Sequence, residues 1–232
     1  MNIAVDLHIH SALSPCADDD MTPNNIVNMA ILKKLDAIAV TDHNSCDNAE
    51  AIVKLAGSQL IVVPGMEVET KEEVHVLCYF EDVDKLLDFG ELIRTKLPSV
   101  ANIPQIFGNQ LIIDENDQII GEREELLISS IDLSIDQTID EVYSRGGVLV
   151  PAHIDRSSYS VISQLGFIPE NLKNGMIEIS RDCNILPLGC TAQNTFYSSD
   201  AHHLWDILER ETFFRIDKLS VLCILRGLEK AK

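Results

Sequence analysis

Basic residues are scarce in this chain: 18 Lys and Arg stand against 37 Asp and Glu, for a formal net charge of −19. That imbalance repels phosphate backbones and anionic headgroups, so it argues against a nucleic-acid polymer or a membrane surface as partner. No apolar stretch is long enough to span a bilayer, and the first residues enter a strand-like run with no basic leader. The six cysteines, at positions 16, 46, 78, 183, 190 and 223, form no Cys-x-x-Cys pair. They read as reduced thiols of a cytoplasmic protein rather than a disulfide frame. There is no Gly-x-Ser-x-Gly elbow, no P-loop and no Gly-x-Gly-x-x-Gly, which leaves a serine hydrolase, an NTPase or a dinucleotide enzyme without support.

What is present is apolar material in regular alternation. With 232 residues, 46 % of them hydrophobic, the chain can bury one sizeable core, and a single barrel domain over 1–232 is expected. Strand-type runs occupy 3–10, 37–41, 60–64, 74–80, 148–152, 176–179 and 196–199. Helical spacing marks 24–34, 44–56, 83–96, 134–145 and 218–229, with Thr22-Pro23 as N-cap and first helical residue of the first. This alternation predicts an α/β fold with a largely parallel sheet, open or closed into a barrel. Residues 99–133 break the pattern. There 110–113 and 118–120 flank a polar turn at Asn116-Asp117, a hairpin inserted between barrel elements. It reads best as a solvated decoration or oligomer contact, with a lid as the other option.

The chemistry is concentrated at the ends of these strands. Asp6-Leu7-His8-Ile9-His10 places two histidines on one strand face, since residues i and i+2 project the same way. Asp42-His43, Glu67, His153 and Asp200-Ala201-His202 also follow predicted strands, whereas His75 stands near the start of its run. Six of the seven histidines fall in these patches, and only His203 is left over. Imidazole and carboxylate suit zinc, manganese and iron, so the set points to a multinuclear metal site at the rim where barrel loops meet. Clustered metal ions would also reverse the local potential and admit a small phosphorylated substrate to an acidic protein.

In order and content these motifs resemble the PHP (polymerase and histidinol phosphatase) domain family: Asp-Leu-His-Ile-His, Thr41-Asp42-His43, Gly65-Met66-Glu67, His75, Pro151-Ala152-His153 and Ser199-Asp200-Ala201-His202. The resemblance runs from Met1 to about His202. It implies a distorted (β/α)7 barrel with two or three divalent ions (Zn, Mn or Fe) at its mouth. By the likeness, His8, His10, Glu67 and Asp200 surround one ion, and Glu67 bridges to a second held by His75 and His153. His43, His202 and a residue of the loop after His10 hold a third. Counting back from Thr22-Pro23 selects Asp18 for that last ligand. The loop Ser14-Pro15-Cys16-Ala17-Asp18-Asp19-Asp20 is longer than the family pattern, so Asp19, Asp20 or Cys16 can stand in its place. The implied activity is metal-dependent phosphoester hydrolysis by an activated hydroxide, with Glu67, Asp200 and His202 as catalytic groups.

Other residues carry two readings each. Asp42 either steadies a metal-bound imidazole or caps the following helix. Arg156 lies where several PHP phosphatases grip phosphate, and a guanidinium fork suits that geometry, although a salt bridge would also explain it. Arg181 is a second phosphate-binding candidate. Two other functional classes remain in view. An amidohydrolase-like metal hydrolase also begins with His-x-His, but it usually needs a bridging lysine, which no strand end here supplies. A non-catalytic PHP regulatory or binding module would have lost ligands, and none is missing. The length, with no polymerase domain attached, favours an independent enzyme.

Overall fold

The structure, a computed structural model, describes residues 1–173, 175–180, 186–187, 190–191 and 193–229. In chain order the elements are β1 (Asn2–Ile9), α1 (Pro23–Leu32), β2 (Ala37–Val40), α2 (Ala49–Ala56), β3 (Ile61–Val62), β4 (Gly65–Glu69), β5 (His75–Tyr79), α3 (Val83–Lys96), α4 (Pro104–Phe107), β6 (Leu111–Ile113), β7 (Ile119–Glu122), α5 (Ile135–Ser144), β8 (Val148–Pro151), α6 (Val161–Leu165), β9 (Ile177–Ile179), β10 (Thr195–Tyr197), β11 (Phe213–Arg215) and α7 (Val221–Glu229). Among the described residues, no helix is long and apolar enough to cross a membrane.

The fold is α/β, and its sheets are mixed rather than largely parallel. Pairing runs β11-β1-β2-β3, β4-β5-β8, β9-β10 and β6-β7, and isolated bridges Ile9–Ala201 and His43–Glu67 tie the sheets together. β1–β2, β2–β3 and β9–β10 are parallel, whereas β4–β5, β5–β8 and β1–β11 are antiparallel. The departure begins at the connection from Glu69 to His75, which is too short for the crossover that a parallel pair requires. β4 and β5 therefore form a hairpin. The closed seven-stranded ring expected from the sequence appears as these separate ladders.

Local chemistry explains the helix ends. Thr22 caps α1 by accepting from the Asn25 N–H, with Pro23 at the first turn, and Ser134 and Gln137 form a reciprocal capping box on α5. α2 starts later than its apolar spacing predicts. Residues 44–48 instead form a loop, and Asn44 adopts φ 47°, which no helix accommodates.

β4 and β5 divide their faces strictly. Met66, Val68, Val76 and Cys78 join a core with Leu86, Phe89 and Ile93 of α3 and Ile135, Ile139 and Val142 of α5. The other face carries the pairs Glu67–Leu77 and Glu69–His75. The expected hairpin, β6–β7, is present, and its segment is fastened to the loop after β1 rather than standing free in solvent. Asn109 Nδ2 donates to Asp19 Oδ2 at 2.7 Å, and the Leu111 N–H donates to the Ala12 carbonyl at 2.8 Å. Gly108, at φ 103°, lies so close to Pro15 that a Cβ would sit 1.9 Å from the Pro15 carbonyl oxygen.

Candidate metal centre

An irregularity in β1 directs its histidines. Ile3, Val5 and Leu7 share one core, while Ile9 joins Ala4 in another. Strict alternation would keep Leu7 and Ile9 together. The register against β2 shifts between Asp6 and Ile9, so the strand turns there, as a β-bulge does. The Tyr79 hydroxyl donates to the Leu7 carbonyl at 2.7 Å, which satisfies backbone at that slip. His8 and His10 consequently face inward together, their Nε2 atoms 3.1 Å apart.

Both rings are held from behind. His8 Nδ1 lies 3.1 Å from each carboxylate oxygen of Glu178, and His10 Nδ1 lies 3.0 Å from Ser14 Oγ. Ser14 Oγ itself donates to Asp42 Oδ1 at 2.7 Å, so its lone pair accepts the His10 Nδ1–H. Asp42 also accepts from the Ser11 N–H and hydroxyl. It therefore steadies an imidazole, as one reading of the sequence has it, but that imidazole is His10 rather than the adjacent His43.

Glu67 is the hub. Its Oε1 lies 2.9 Å from His75 Nδ1, 3.3 Å from His153 Nε2 and 3.4 Å from His8 Nε2. Its Oε2 lies 3.0 Å from His43 Nδ1 and 3.5 Å from His10 Nε2. Asp200 completes the inner group, with Oδ1 3.0 Å from His10 Nε2 and 3.2 Å from His8 Nε2. The position of His75 at the start of its run is explained by the hairpin, because β5 runs opposite to β4 and begins at the rim where β4 ends. β8 runs opposite to β5 in turn, which brings His153 to the same rim. Behind His75 stands Glu69, 3.4 Å from its Nε2 and bonded by Ser130 Oγ at 2.5 Å. His153 and Asp200 both have positive φ, 28° and 51°, unusual for residues with side chains and common where a site holds groups in place.

The residues fit divalent metal ions. Among the described residues, three sets of potential ligand atoms lie within 4.8 Å of one another: His8, His10 and Asp200; His43, Glu67 and His75; His10, His43 and His202. With their Nδ1 protons directed to Glu178 and Ser14, His8 and His10 turn two Nε2 lone pairs toward each other and toward two carboxylates. Two neutral rings would set these lone pairs against each other, so a cation belongs between them: a proton on His8 in the metal-free protein, a metal ion when one is bound. Among the described residues, Glu67 Oε2, His43 Nδ1 and His153 Nδ1 are also buried without a well-aligned hydrogen bond, an expensive state for polar atoms that a metal ion would relieve at the first two, which lie 3.0 Å apart.

Electrostatics follow from this crowding. Burial works against charge at Glu67, but His75, His8 and His43 outweigh it and hold the carboxyl well below its ordinary range. Burial lowers His8, yet Glu178, Asp200 and Glu67 more than offset this and leave it well above the usual value. His10 goes the other way, lowered well below by burial and by the neighbouring His202 and His43.

Of the sequence-derived site residues, His8, His10, His43, Glu67, His75, His153, Asp200 and His202 converge here. Arg156 does as well, its Nη1 donating to Asp200 Oδ2 at 2.6 Å. Asp18 is not brought into the cluster: its Oδ1 accepts from the Asp20 N–H at 2.9 Å, and Oδ2 faces His203 Nδ1 at 3.5 Å. Asp19 is bonded to Asn109, and Arg181 lies outside the described residues. His203, the histidine left unassigned, stacks on Trp205 at 4.5 Å. Glu178, Ser14 and Glu69 were missed. Glu178 had a signal, since it is a lone carboxylate between Ile177 and Ile179 on a strand whose neighbours are core.

A cavity of about 120 Å³ opens over the cluster, bordered by His43, His75, His153, Arg156, Tyr159 and His202. A larger cavity, about 210 Å³, lies between α3 and residues 44–47, but among the described residues no ligand set lines it. The chemistry belongs to the smaller one.

Residues 6–142 match the family model of the PHP domain, and the chain belongs to that family. It is 33 % identical over 90 residues to the uncharacterized protein MJ0043 of Methanocaldococcus jannaschii, an alignment covering 39 % of this chain and 11 % of that one. Among solved structures it is similar to a lesion-specific endonuclease, PfuEndoQ of Pyrococcus furiosus, at a TM-score of 0.68 and 18 % identity over 98 % of this chain. The chain spans 56 % of that endonuclease. It is also similar to a Bifidobacterium adolescentis protein whose name proposes a metal-dependent phosphoesterase, with a TM-score of 0.55 and 16 % identity over 95 % of this chain and 94 % of the other.

Proposed function

We propose that this protein is a metal-dependent phosphoesterase that hydrolyses a small phosphorylated metabolite or nucleotide. The observation that carries the reading is Glu67, whose two oxygens are shared among five histidines beside a carboxylate, Asp200, that is itself paired with Arg156. Divalent ions, when bound, supply Lewis acidity that activates water and stabilises the leaving oxygen.

The protein's own groups supply the rest. His8, His10, Glu67 and Asp200 form one ligand set, and His75 and His153 extend it from Glu67 Oε1, the oxygen that also faces His8. Arg156 reaches over the cavity mouth with part of its guanidinium on Asp200, leaving further N–H donors for a phosphoryl oxygen. Tyr159 stacks on His75 at 4.9 Å and walls one side of the opening. Glu178, Ser14 and Glu69 fix ring orientations, so that the lone pairs point at the ligand positions without reorganisation.

The test is metal reconstitution with zinc, manganese or iron, followed by a screen with four substrate groups: phosphorylated metabolites, nucleotides, a lesion-bearing DNA duplex and cyclic amides. Phosphate release from a small ester supports the reading. Cleavage confined to the duplex would replace it with a nuclease, and amide hydrolysis alone would replace it with an amidohydrolase. Metal uptake with no turnover of any of them would favour a binding module.

A further inference from the structure

The loop after β1 places a different residue at the outer histidines from the aspartate that the family pattern selects. Ser14 to Ala17 form a turn closed by the Ala17 N–H on the Ser14 carbonyl at 2.9 Å, with Pro15 at its first corner and Cys16 at its second. Gly108 presses on Pro15 from outside, and the Asp18 N–H is bonded to the His202 carbonyl at 2.9 Å. These contacts fix the turn. They direct Cys16 Sγ to 3.1 Å from His202 Nε2, while the Asp18 carboxylate turns away to Asp20 and His203.

The surroundings of that sulfur are those of a ligand. His202 Nδ1 donates to the Asp200 carbonyl at 2.8 Å, so its Nε2 lone pair is the one turned to Cys16. The His43 ring stacks on His10 at 4.5 Å, as the His202 ring does at 4.4 Å, and the three rings form one of the ligand sets. His43 is 6 % exposed, and its Nδ1 has no hydrogen-bond partner although Glu67 Oε2 is 3.0 Å away. His10 is committed to the inner group through Asp200. His43 and His202 lie within ligand reach of one another, and Cys16 is the side chain the fold delivers beside His202 as a further donor.

We infer that Cys16, with His43 and His202, forms a thiolate-containing outer metal position that selects a borderline-soft ion such as zinc, iron or cobalt over manganese or magnesium. The inference rests on the metal-centre reading above. Thiolate sulfur prefers such ions, whereas carboxylate oxygen suits the harder ones, so a cysteine in place of an aspartate changes which ion is retained. On binding, the thiol proton leaves to solvent and the sulfur donates its lone pair to the metal.

Chelator-stripped wild-type protein and the variants Cys16→Ser and Cys16→Asp would be titrated with cobalt(II) and followed by absorption and metal analysis. The wild type should show a near-ultraviolet sulfur-to-cobalt charge-transfer band, and both variants should lose it. Cys16→Asp should still take up the same number of cobalt ions, which also guards against a serine variant that fails to fold. In manganese, Cys16→Asp should retain one more ion per chain than the wild type. Cobalt uptake with no such band, or a band unchanged in Cys16→Ser, would overturn the cysteine assignment and leave the inner centre standing. If no cobalt binds at all, the metal-centre reading falls with it.

Discussion

Arg156 and Asp200 are joined at 2.6 Å, and the same carboxylate faces His8 and His10 through its other oxygen. The arginine is thus neither a remote surface cation nor a metal ligand. Of its two sequence readings the salt bridge is present, and it positions the guanidinium at the mouth of the cavity where the phosphate contact is proposed.

Replacing Arg156 with alanine should leave metal content intact and lower kcat/KM on any phosphate ester the protein turns over. A charge-assisted contact of this kind is worth about 1.5–3 kcal/mol, roughly a ten- to hundredfold loss. Arg156→Lys should recover only part of it, since an ammonium cannot engage Asp200 and phosphate as a fork. Steady-state kinetics on the two variants decides the matter, and an unchanged kcat/KM in Arg156→Ala would reduce the residue to its salt bridge.

Glu67→Gln should abolish turnover and weaken metal binding at more than one position while the circular dichroism spectrum is preserved. The amide keeps the shape but removes the anion between neighbouring cations, whose mutual repulsion then rises. Full metal occupancy in this variant, measured by elemental analysis, would show that the carboxylate is no bridge.

Glu178→Ala should weaken metal affinity by about 10–100-fold, the usual effect of losing a carboxylate behind a ligating imidazole. It leaves His8 free to rotate and to change tautomer. Competition with a metal indicator dye gives the number, and Glu178→Gln, which can still accept from Nδ1–H, should fall between.

Metal uptake should release protons and weaken as pH falls. Burial opposes charge on His8, His43 and His75, but nearby carboxylates, Glu67 above all for the latter two, hold each above its ordinary value in the metal-free protein. These rings therefore keep protons near neutrality, and ligation must displace them. Titration calorimetry in buffers of different ionisation enthalpy should show net proton release, and a buffer-independent heat would contradict this.

The candidate ligands were legible in the sequence because strand ends expose short motifs whose chemistry does not depend on the rest of the chain. Seven histidines in 232 residues leave little room for coincidence when six of them stand at such ends. What periodicity could not show was direction. The runs at 60–64 and 74–80 read as two more strands of a parallel series with Glu67 just past the first. Gly65–Glu69 is instead a strand of its own, and its short connection to β5, a hairpin, explains why His75 opens its strand instead of closing it. The slip in β1 was equally hidden, since apolar residues at 3, 5, 7 and 9 look like one unbroken face. The loop position stayed open between residues 16, 18, 19 and 20 for a third reason: counting back from Thr22-Pro23 assumes a loop of standard length, and the turn at Ser14 to Ala17 brings Cys16 rather than Asp18 beside His202.

The hairpin of β4 and β5 has a cost and a freedom that a crossover connection would not give. With no helix of its own between the two strands, its outer face is roofed by α3 and α5, segments that arrive later in the chain and from either side of the insertion. Roof and chemistry therefore occupy opposite sides of the same two strands. A trimmed roof residue such as Phe89, fully buried, should cost about 3–5 kcal/mol as a truncated aromatic does, and lower the melting temperature. The ligands on the other side would keep their identities and their neighbours, so thermal tolerance and metal chemistry in this protein are free to be tuned separately.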